Sequence, residues 1–314
     1  MLSLVIPVYK NAANIGALVE ALGGLHDKLG GAFEAVVVVD GSPDESYLLL
    51  KEALPRQRYR SSLIALSRNF GSFSAIRAGL AAARGERVAI MAADLQEPPD
   101  LILEFDRLMR GGDVDVVIGQ RTRRVDPWLT RLFSAIFWAI YRRWVQPDLP
   151  PGGVDIFGCT DKIRRELVRF PEVNSSLIGL LFWVGFRRAF VPYMRRERTA
   201  GRSAWTFWRK VRYLTDSLFA FSDLPIRLLL AAGTVGLAIS GAYAATVVIA
   251  KLVFSITPPG YAATIVLVSF FGGLNCFGIG VLGGYLWRTF ENSKQRPPYI
   301  VLSTESFNEQ SSAS

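Results

Sequence analysis

Asp94 and Gln96 stand two residues apart in the run ADLQEPPD. A carboxylate and an amide oxygen at that spacing are hard ligands, suited to Mg²⁺ or Mn²⁺. Four other polar groups follow short apolar runs in the same way: Tyr9-Lys10-Asn11, Asp40-Gly41-Ser42, Ser67-Arg68-Asn69-Phe70-Gly71 and Gly119-Gln120-Arg121. Before residue 228 neither G-x-G-x-x-G nor G-x-x-x-x-G-K-[ST] occurs, so among the alternating runs a dinucleotide fingerprint and a P-loop are both excluded. A nucleotide diphosphate held without those loops calls for a divalent cation to neutralise it. His26 is the only histidine, and Cys159 and Cys276 are the only cysteines. That excludes a multi-histidine metal centre and a disulfide scaffold, and leaves a Ser-His-Asp triad one possible base.

The runs before these polar groups are short and β-branched, at residues 3–8, 35–39, 63–66, 87–91 and 115–118. Helix-like stretches at 14–29, 72–83 and 100–110 alternate with them. Such alternation predicts βαβ units and a mostly parallel sheet with helices on both faces. Ligands of such sheets gather at the carboxyl ends of the strands, so five polar strand ends point to one crevice.

Charge divides the 314 residues unevenly. Residues 1–120 hold 12 basic and 15 acidic side chains, whereas 121–227 hold 20 and 9, a local +11 within an overall +9. From 228 to 287 the only charge is Lys251, and 288–314 balances at zero. Residues 228–250 and 262–287 are each long enough to span a bilayer, and Pro258-Pro259-Gly260 marks a turn between them. Arg227 precedes the first span and Arg288, Lys294 and Arg296 follow the second, which places both ends in the cytoplasm, on the inner membrane. Stretches near 128–145 and 204–221 mix aromatic residues with arginine and lysine, as interfacial helices do. The basic segment is therefore expected to meet lipid headgroups and phosphate groups, and nucleic acid is not expected as a partner, because no recognised binding motif accompanies it. Small residues in the spans hint at helix association.

The order VIPVY, VDGS, SRNFG, ADLQEPPD, GQR, GGVDIF, WVGF and YMRRERTAGRS resembles the family 2 glycosyltransferases. More narrowly, it is similar to the membrane-anchored polyprenyl-phosphate glycosyltransferases, relatives of dolichol-phosphate mannose synthase, over residues 3–290. The resemblance implies a GT-A catalytic domain over 1–225, two transmembrane helices within 226–290 and a cytoplasmic tail over 291–314. It implies inverting transfer of a sugar from a nucleotide-diphosphate sugar to a membrane polyprenyl phosphate, by a homo-oligomer. A UDP-hexose donor, glucose first, is the expectation. By that likeness Pro7, Tyr9, Asn11, Asp40 and Arg68 would serve the nucleotide sugar, and Asp94 and Gln96 would bind the metal. Asp155 would join Asp94 at the reacting centre. Arg121, Arg131, Arg195, Arg198 and Ser203 would gather the acceptor phosphate or the leaving diphosphate. A lipid phosphate is already ionised at neutral pH, so positioning two anions is the harder task, and a metal with arginines supplies it.

Several positions depart from that pattern. Val39 and Ala92 replace carboxylates, Asn11 replaces an acidic residue, and Gly158 and Ile178 stand where arginines are common. These changes leave open a second reading, a catalytically weakened membrane-anchored homologue that binds nucleotide sugar or lipid, or scaffolds a partner. A processive polysaccharide synthase is disfavoured, since no Q-x-x-R-W occurs.

Overall fold

The computed structural model describes residues 1–121, 139, 142–143, 146–150, 154, 156–170, 176–195, 215–219, 222–254 and 260–308. Asp155, Arg131, Arg198 and Ser203 lie outside the described residues, as do most of 128–145 and 204–221.

The first 121 residues alternate as the sequence predicts: β1 (Leu2–Val8), α1 (Ile15–Lys28), β2 (Phe33–Val39), α2 (Ser46–Ala53), β3 (Arg60–Leu66), α3 (Ser72–Ala82), β4 (Arg87–Ile90), α4 (Asp100–Arg110) and β5 (Val116–Arg121). β2 is buried along its whole length, as a central parallel strand covered on both faces must be. α1 buries Ile15, Leu18, Val19, Leu22 and Leu25, one stripe at helical spacing, against the sheet. α3 lies on the opposite face, so two apolar clusters sandwich the strands.

The rest of the sheet comes from segments whose strands the sequence does not announce: β6 (Phe157–Thr160), β7 (Arg188–Tyr193) and β8 (Val301–Phe307). The eight strands run in the order β7-β5-β6-β4-β1-β2-β3-β8. β1 to β4 are mutually parallel, and β6 lies antiparallel between β4 and β5, so β5 and its parallel neighbour β7 again point the same way as β4. One edge of the sheet therefore collects the carboxyl ends of six strands. α5 (Asp161–Arg169) and α6 (Leu177–Trp183) join the α3 face of the sheet.

α7 (Leu224–Phe254) and α8 (Tyr261–Ser293) are longer than the spans read from hydropathy. They run antiparallel: the Gly236 backbone meets the Phe271 ring, and Gly278 meets Leu229. Their apolar side chains face outward; Leu237 is 72% exposed and Leu252 77%. Both helices contain a stretch long and apolar enough to cross a membrane, Leu224–Ala250 and Phe270–Ser293.

After α8 the chain returns to the sheet. Residues 301–307, which the sequence reading sets apart within a tail, form edge strand β8, antiparallel to β3 from Ser61↔Phe307 to Leu66↔Val301. Alternation of outward and half-buried residues along β8 fits a strand with one covered face, a pattern too short to stand out from sequence.

Candidate active site

At the carboxyl edge, four loops turn through left-handed backbone: Lys10 (φ 55°) after β1, Gly41 (φ 54°) after β2, Gly71 (φ 97°) after β3 and Leu95 (φ 52°) after β4. Leu95 adopts a conformation that costs a side-chain-bearing residue, and such strain clusters at functional loops. Gly41 has a steric reason besides: a Cβ there would lie 2.2 Å from the Arg68 carbonyl carbon. The loops after β2 and β3 touch backbone to backbone.

The β1, β2 and β3 loops are sewn together by the chain's own hydrogen bonds. The amides of Lys10, Asn11 and Ala12 donate to Ser42 Oγ (2.8 Å), Ser46 Oγ (3.2 Å) and Asp44 Oδ2 (3.0 Å). Ser42 Oγ donates to Asp44 Oδ1 at 2.5 Å. Asn11 also donates to the Tyr9 carbonyl and accepts from Asn14 Nδ2, both at 3.2 Å. A carboxylate at position 11 could not make the first of these, which accounts locally for asparagine there. Asp40, 2% exposed, accepts the Phe70 amide at 2.7 Å on one oxygen and the Gly71 amide at 2.9 Å on the other. Burial pushes the Asp40 carboxyl above its ordinary value; the two amides and the Arg68 charge oppose that shift. In Asp44 burial also acts upward and is the largest single influence, but the hydrogen bonds from Ser42, Ser46 and the Ala12 amide together hold the carboxyl below its ordinary value. Arg68 is exposed, stacks on the Phe70 ring at 4.0 Å and donates to the Asn69 carbonyl. Tyr9 is half-buried beside exposed Lys10, and Pro7 sits within β1 opposite Val38. Asp40, read from sequence as a nucleoside contact, thus has both carboxylate oxygens engaged in shaping the SRNFG loop.

The other half of the edge is built from charged side chains. Asp94 and Gln96 lie in the tight turn after β4, where the Gln96 amide approaches Asp94 Oδ1 at 3.4 Å. Arg195, two residues past β7, donates from Nη2 to Gln96 Oε1 at 2.7 Å, and its Nε lies 3.6 Å from Glu97 Oε1. Arg121 ends β5 in register with Tyr193 of β7, so it shares this corner with Arg195. Its Nε is buried without a hydrogen-bond partner among the described residues. The structure therefore brings Asp94, Gln96, Arg121 and Arg195 to one corner of the edge, on loops distant in sequence.

Glu97 is the residue that sequence reading missed. It is 1% exposed, a carboxylate buried against Arg195 directly after the candidate metal ligands. Its adjacency to Gln96 within ADLQEPPD was the available signal. The Ser42, Asp44 and Ser46 stitch was likewise unread, because its partners are backbone amides of another loop.

Asp94 and Gln96 offer a divalent cation two hard oxygens, and no three His, Cys, Asp or Glu side chains gather into a metal site among the described residues. That donor set fits an ion that takes most of its ligands from diphosphate oxygens and water, as Mg²⁺ does. Of the departures, Val39 is buried in the core, and Ile178 is buried in the opposite cluster. Gly158 faces Phe105 and Met109, where an added Cβ would meet both at 3.1 Å, so this packing has no room for an arginine.

The profile of Glycosyl transferase family 2 matches residues 3–168. An uncharacterized glycosyltransferase of Synechocystis sp. is 33% identical over 96% of this chain and 94% of its own length. The bactoprenol glucosyl transferase of Shigella phage SfV is 30% identical over 96% of this chain and 97% of its own. Among solved structures, a mycobacterial protein superposes with a TM-score of 0.50 at 23% identity, covering 69% of this chain and 74% of that one. Glucosyl-3-phosphoglycerate synthase from Mycobacterium tuberculosis, in complex with Mn²⁺, UDP-glucose and phosphoglyceric acid, gives 0.50 at 18% identity, over 69% and 78%. These two show the fold. With a Rossmann-like GT-A sheet carrying polar loops along its carboxyl edge, and a family profile that covers its strands β1 to β6, the chain belongs to the family 2 glycosyltransferases and is a glycosyltransferase.

Proposed function

We propose that this enzyme moves a hexose, glucose first, from UDP to the phosphate of a membrane polyprenol, with inversion at the sugar carbon. The observation that carries the reading is the corner where Arg195 meets Gln96 and Glu97 beside Asp94, with Arg121 on the next strand. A reaction that joins an anionic lipid phosphate to a diphosphate-activated sugar needs cations on both sides and little base catalysis. A chain with a single histidine suits that requirement. The relatives named bactoprenol glucosyl transferase, matched across 96% of this chain, support the acceptor class and the sugar.

In this reading Arg121 and Arg195 offer planar guanidinium groups to phosphate oxygens. Asp40 holds the SRNFG loop, which presents Arg68 toward the donor side. Pro7, Tyr9 and Asn11 flank the nucleoside. Asp94 and Gln96 would hold Mg²⁺ or Mn²⁺, which when bound neutralises the leaving diphosphate. Asp155, Arg131, Arg198 and Ser203 keep the roles the family resemblance gives them: Asp155 orients the sugar, and the others collect phosphate.

The hairpin of α7 and α8 spans the inner membrane, with the catalytic sheet and both chain ends in the cytoplasm. Arg227 before it and Arg288, Lys294 and Arg296 at its other end support that orientation, as does the return of β8 to the sheet. Small residues along both helices support association of several copies. The test is transfer from a panel of nucleotide sugars to undecaprenyl phosphate in detergent, with Mg²⁺ or Mn²⁺. Formation of a lipid-linked glucose from UDP-glucose, lost on chelation, is expected. Inactivity across the whole panel would replace this reading with that of a non-catalytic nucleotide-sugar or lipid binder.

A further inference from the structure

The chain leaves α8 at Ser293 and within eight residues has become β8, the outermost strand of the catalytic sheet. Helix α8 is thus tied directly to β3, the strand whose carboxyl end carries Ser67-Arg68-Asn69-Phe70-Gly71. The tie reaches the first residue of that loop: the Ser67 amide donates to the Ile300 carbonyl at 2.9 Å, just past a register shift at Ala65/Leu66. Tyr299, half-buried, packs on the same apolar cluster as Phe70. The far end of the strand is anchored to α2: Glu305 accepts from Tyr47 Oη at 2.6 Å and pairs with Lys51 at 2.8 Å.

From these contacts we infer that β8 is a positioning strap for the Ser67–Gly71 loop, so that donor binding depends on a segment delivered by the membrane hairpin. Three features converge. The loop has no regular structure of its own between β3 and α3. Its distal half is fixed by Asp40 through the Phe70 and Gly71 amides. Its proximal end is fixed by Ile300, the residue that leads into β8, more than 230 residues away in sequence. Removing the second anchor leaves Ser67, Arg68 and Asn69 held from one side, with Arg68 on the freed portion. The strap would act on the donor alone, because Arg121 at the end of β5 and Arg195 just past β7 lie at the other end of the sheet.

This inference rests on the reading that the loop serves a nucleotide sugar, and the test separates the two. The full-length protein with Ser303→Pro, Thr304→Pro and Glu305→Pro together is expected to lose its pairing with β3, since three consecutive prolines remove the amides at the middle of β8 and the Glu305 anchor with them. Amide hydrogen exchange over 67–71 is expected to rise while exchange over β1 and β2 stays at the wild-type level. UDP affinity is expected to fall about tenfold, as when a binding-competent loop is populated a tenth of the time. The KM for undecaprenyl phosphate should not move. As a milder variant, Glu305→Lys repels Lys51 and should raise exchange over 67–71 in part; adding Lys51→Glu restores the pair and should return both exchange and UDP affinity. Unchanged exchange over 67–71 and unchanged UDP affinity in the triple variant would overturn the strap. Rising exchange with no UDP binding by the wild-type protein would uphold the strap as a loop-ordering element and overturn its link to a nucleotide donor.

Discussion

Along the carboxyl edge, the loops after β1, β2 and β3 are joined by backbone amides that donate to Ser42, Asp44, Ser46 and Asp40. The loops after β4 and β7 meet instead through the side chains of Gln96, Glu97 and Arg195. Amide-to-carboxylate bonds consume donors that the backbone must satisfy somewhere, so they define the shape of a loop and persist whatever binds. Side-chain ion pairs can exchange partners with an incoming phosphate or cation at little cost to the fold. One half of the edge is scaffold, and the other holds the groups that a ligand can recruit. Two of the departing positions, Val39 and Asn11, lie in the scaffold half, where they serve the core and the loop stitch; the third, Ala92, lies in the loop after β4.

The largest effect should come from the recruitable half. Asp94→Ala is expected to lower sugar transfer by at least about a hundredfold, the scale seen when one group stabilising transition-state charge is removed. Its thermal midpoint should stay near wild type; a fully active variant would break the division outright. Next is the scaffold half, where Gly41→Ala drives a Cβ into the Arg68 backbone at a positive φ. Destabilisation of at least about 2 kcal/mol is expected from the combined strain and clash, read as a lowered urea midpoint.

Asp40→Asn should cost less, about 1–2 kcal/mol, because one of the two buried amides loses its acceptor. The smallest effect is a matter of pH. Asp44 titrates below its ordinary value of 3.8, so its stabilising contribution is complete above that pH and is lost as pH falls through the folded-state value. Asp40, raised above 3.8, has the opposite sign: its contribution declines as pH rises from 3.8 through its folded-state value. Urea midpoints against pH for Asp44→Asn and Asp40→Asn should therefore differ from wild type with opposite slopes. Parallel curves would mean that the stitch and the Asp40 buttress are not distinct devices.

Much of this was legible from residue order. The β-branched runs before Tyr9, Asp40, Ser67, Asp94 and Gln120 announced β1 to β5, because a strand buried on both faces leaves a continuous apolar signature. α4 begins and ends where the sequence placed it, at Asp100 and Arg110. β6 and β7 were hidden because FGCT and RAFVPY are short and carry no clear period. β8 was hidden because its partner, β3, lies more than 230 residues earlier, and pairing over that distance has no local trace. In the site, Asp94, Gln96, Arg121 and Arg195 were legible as types of chemistry. Glu97 and the Ser42, Asp44 and Ser46 stitch were not, since each is defined by what another loop presents to it.

The sequence by itself determined the parallel sheet, the polar strand ends, the two long apolar helices and the segregation of charge, all properties of short windows whose side chains must be buried or solvated locally. Only the tertiary structure decided that Asp40 buttresses a neighbouring loop, that Arg195 reaches Gln96 and Glu97, and that the chain beyond α8 closes the sheet. Those outcomes depend on which strand ends become neighbours, and the β7-β5-β6-β4-β1-β2-β3-β8 order is set by packing across the whole domain rather than by any one stretch of residues.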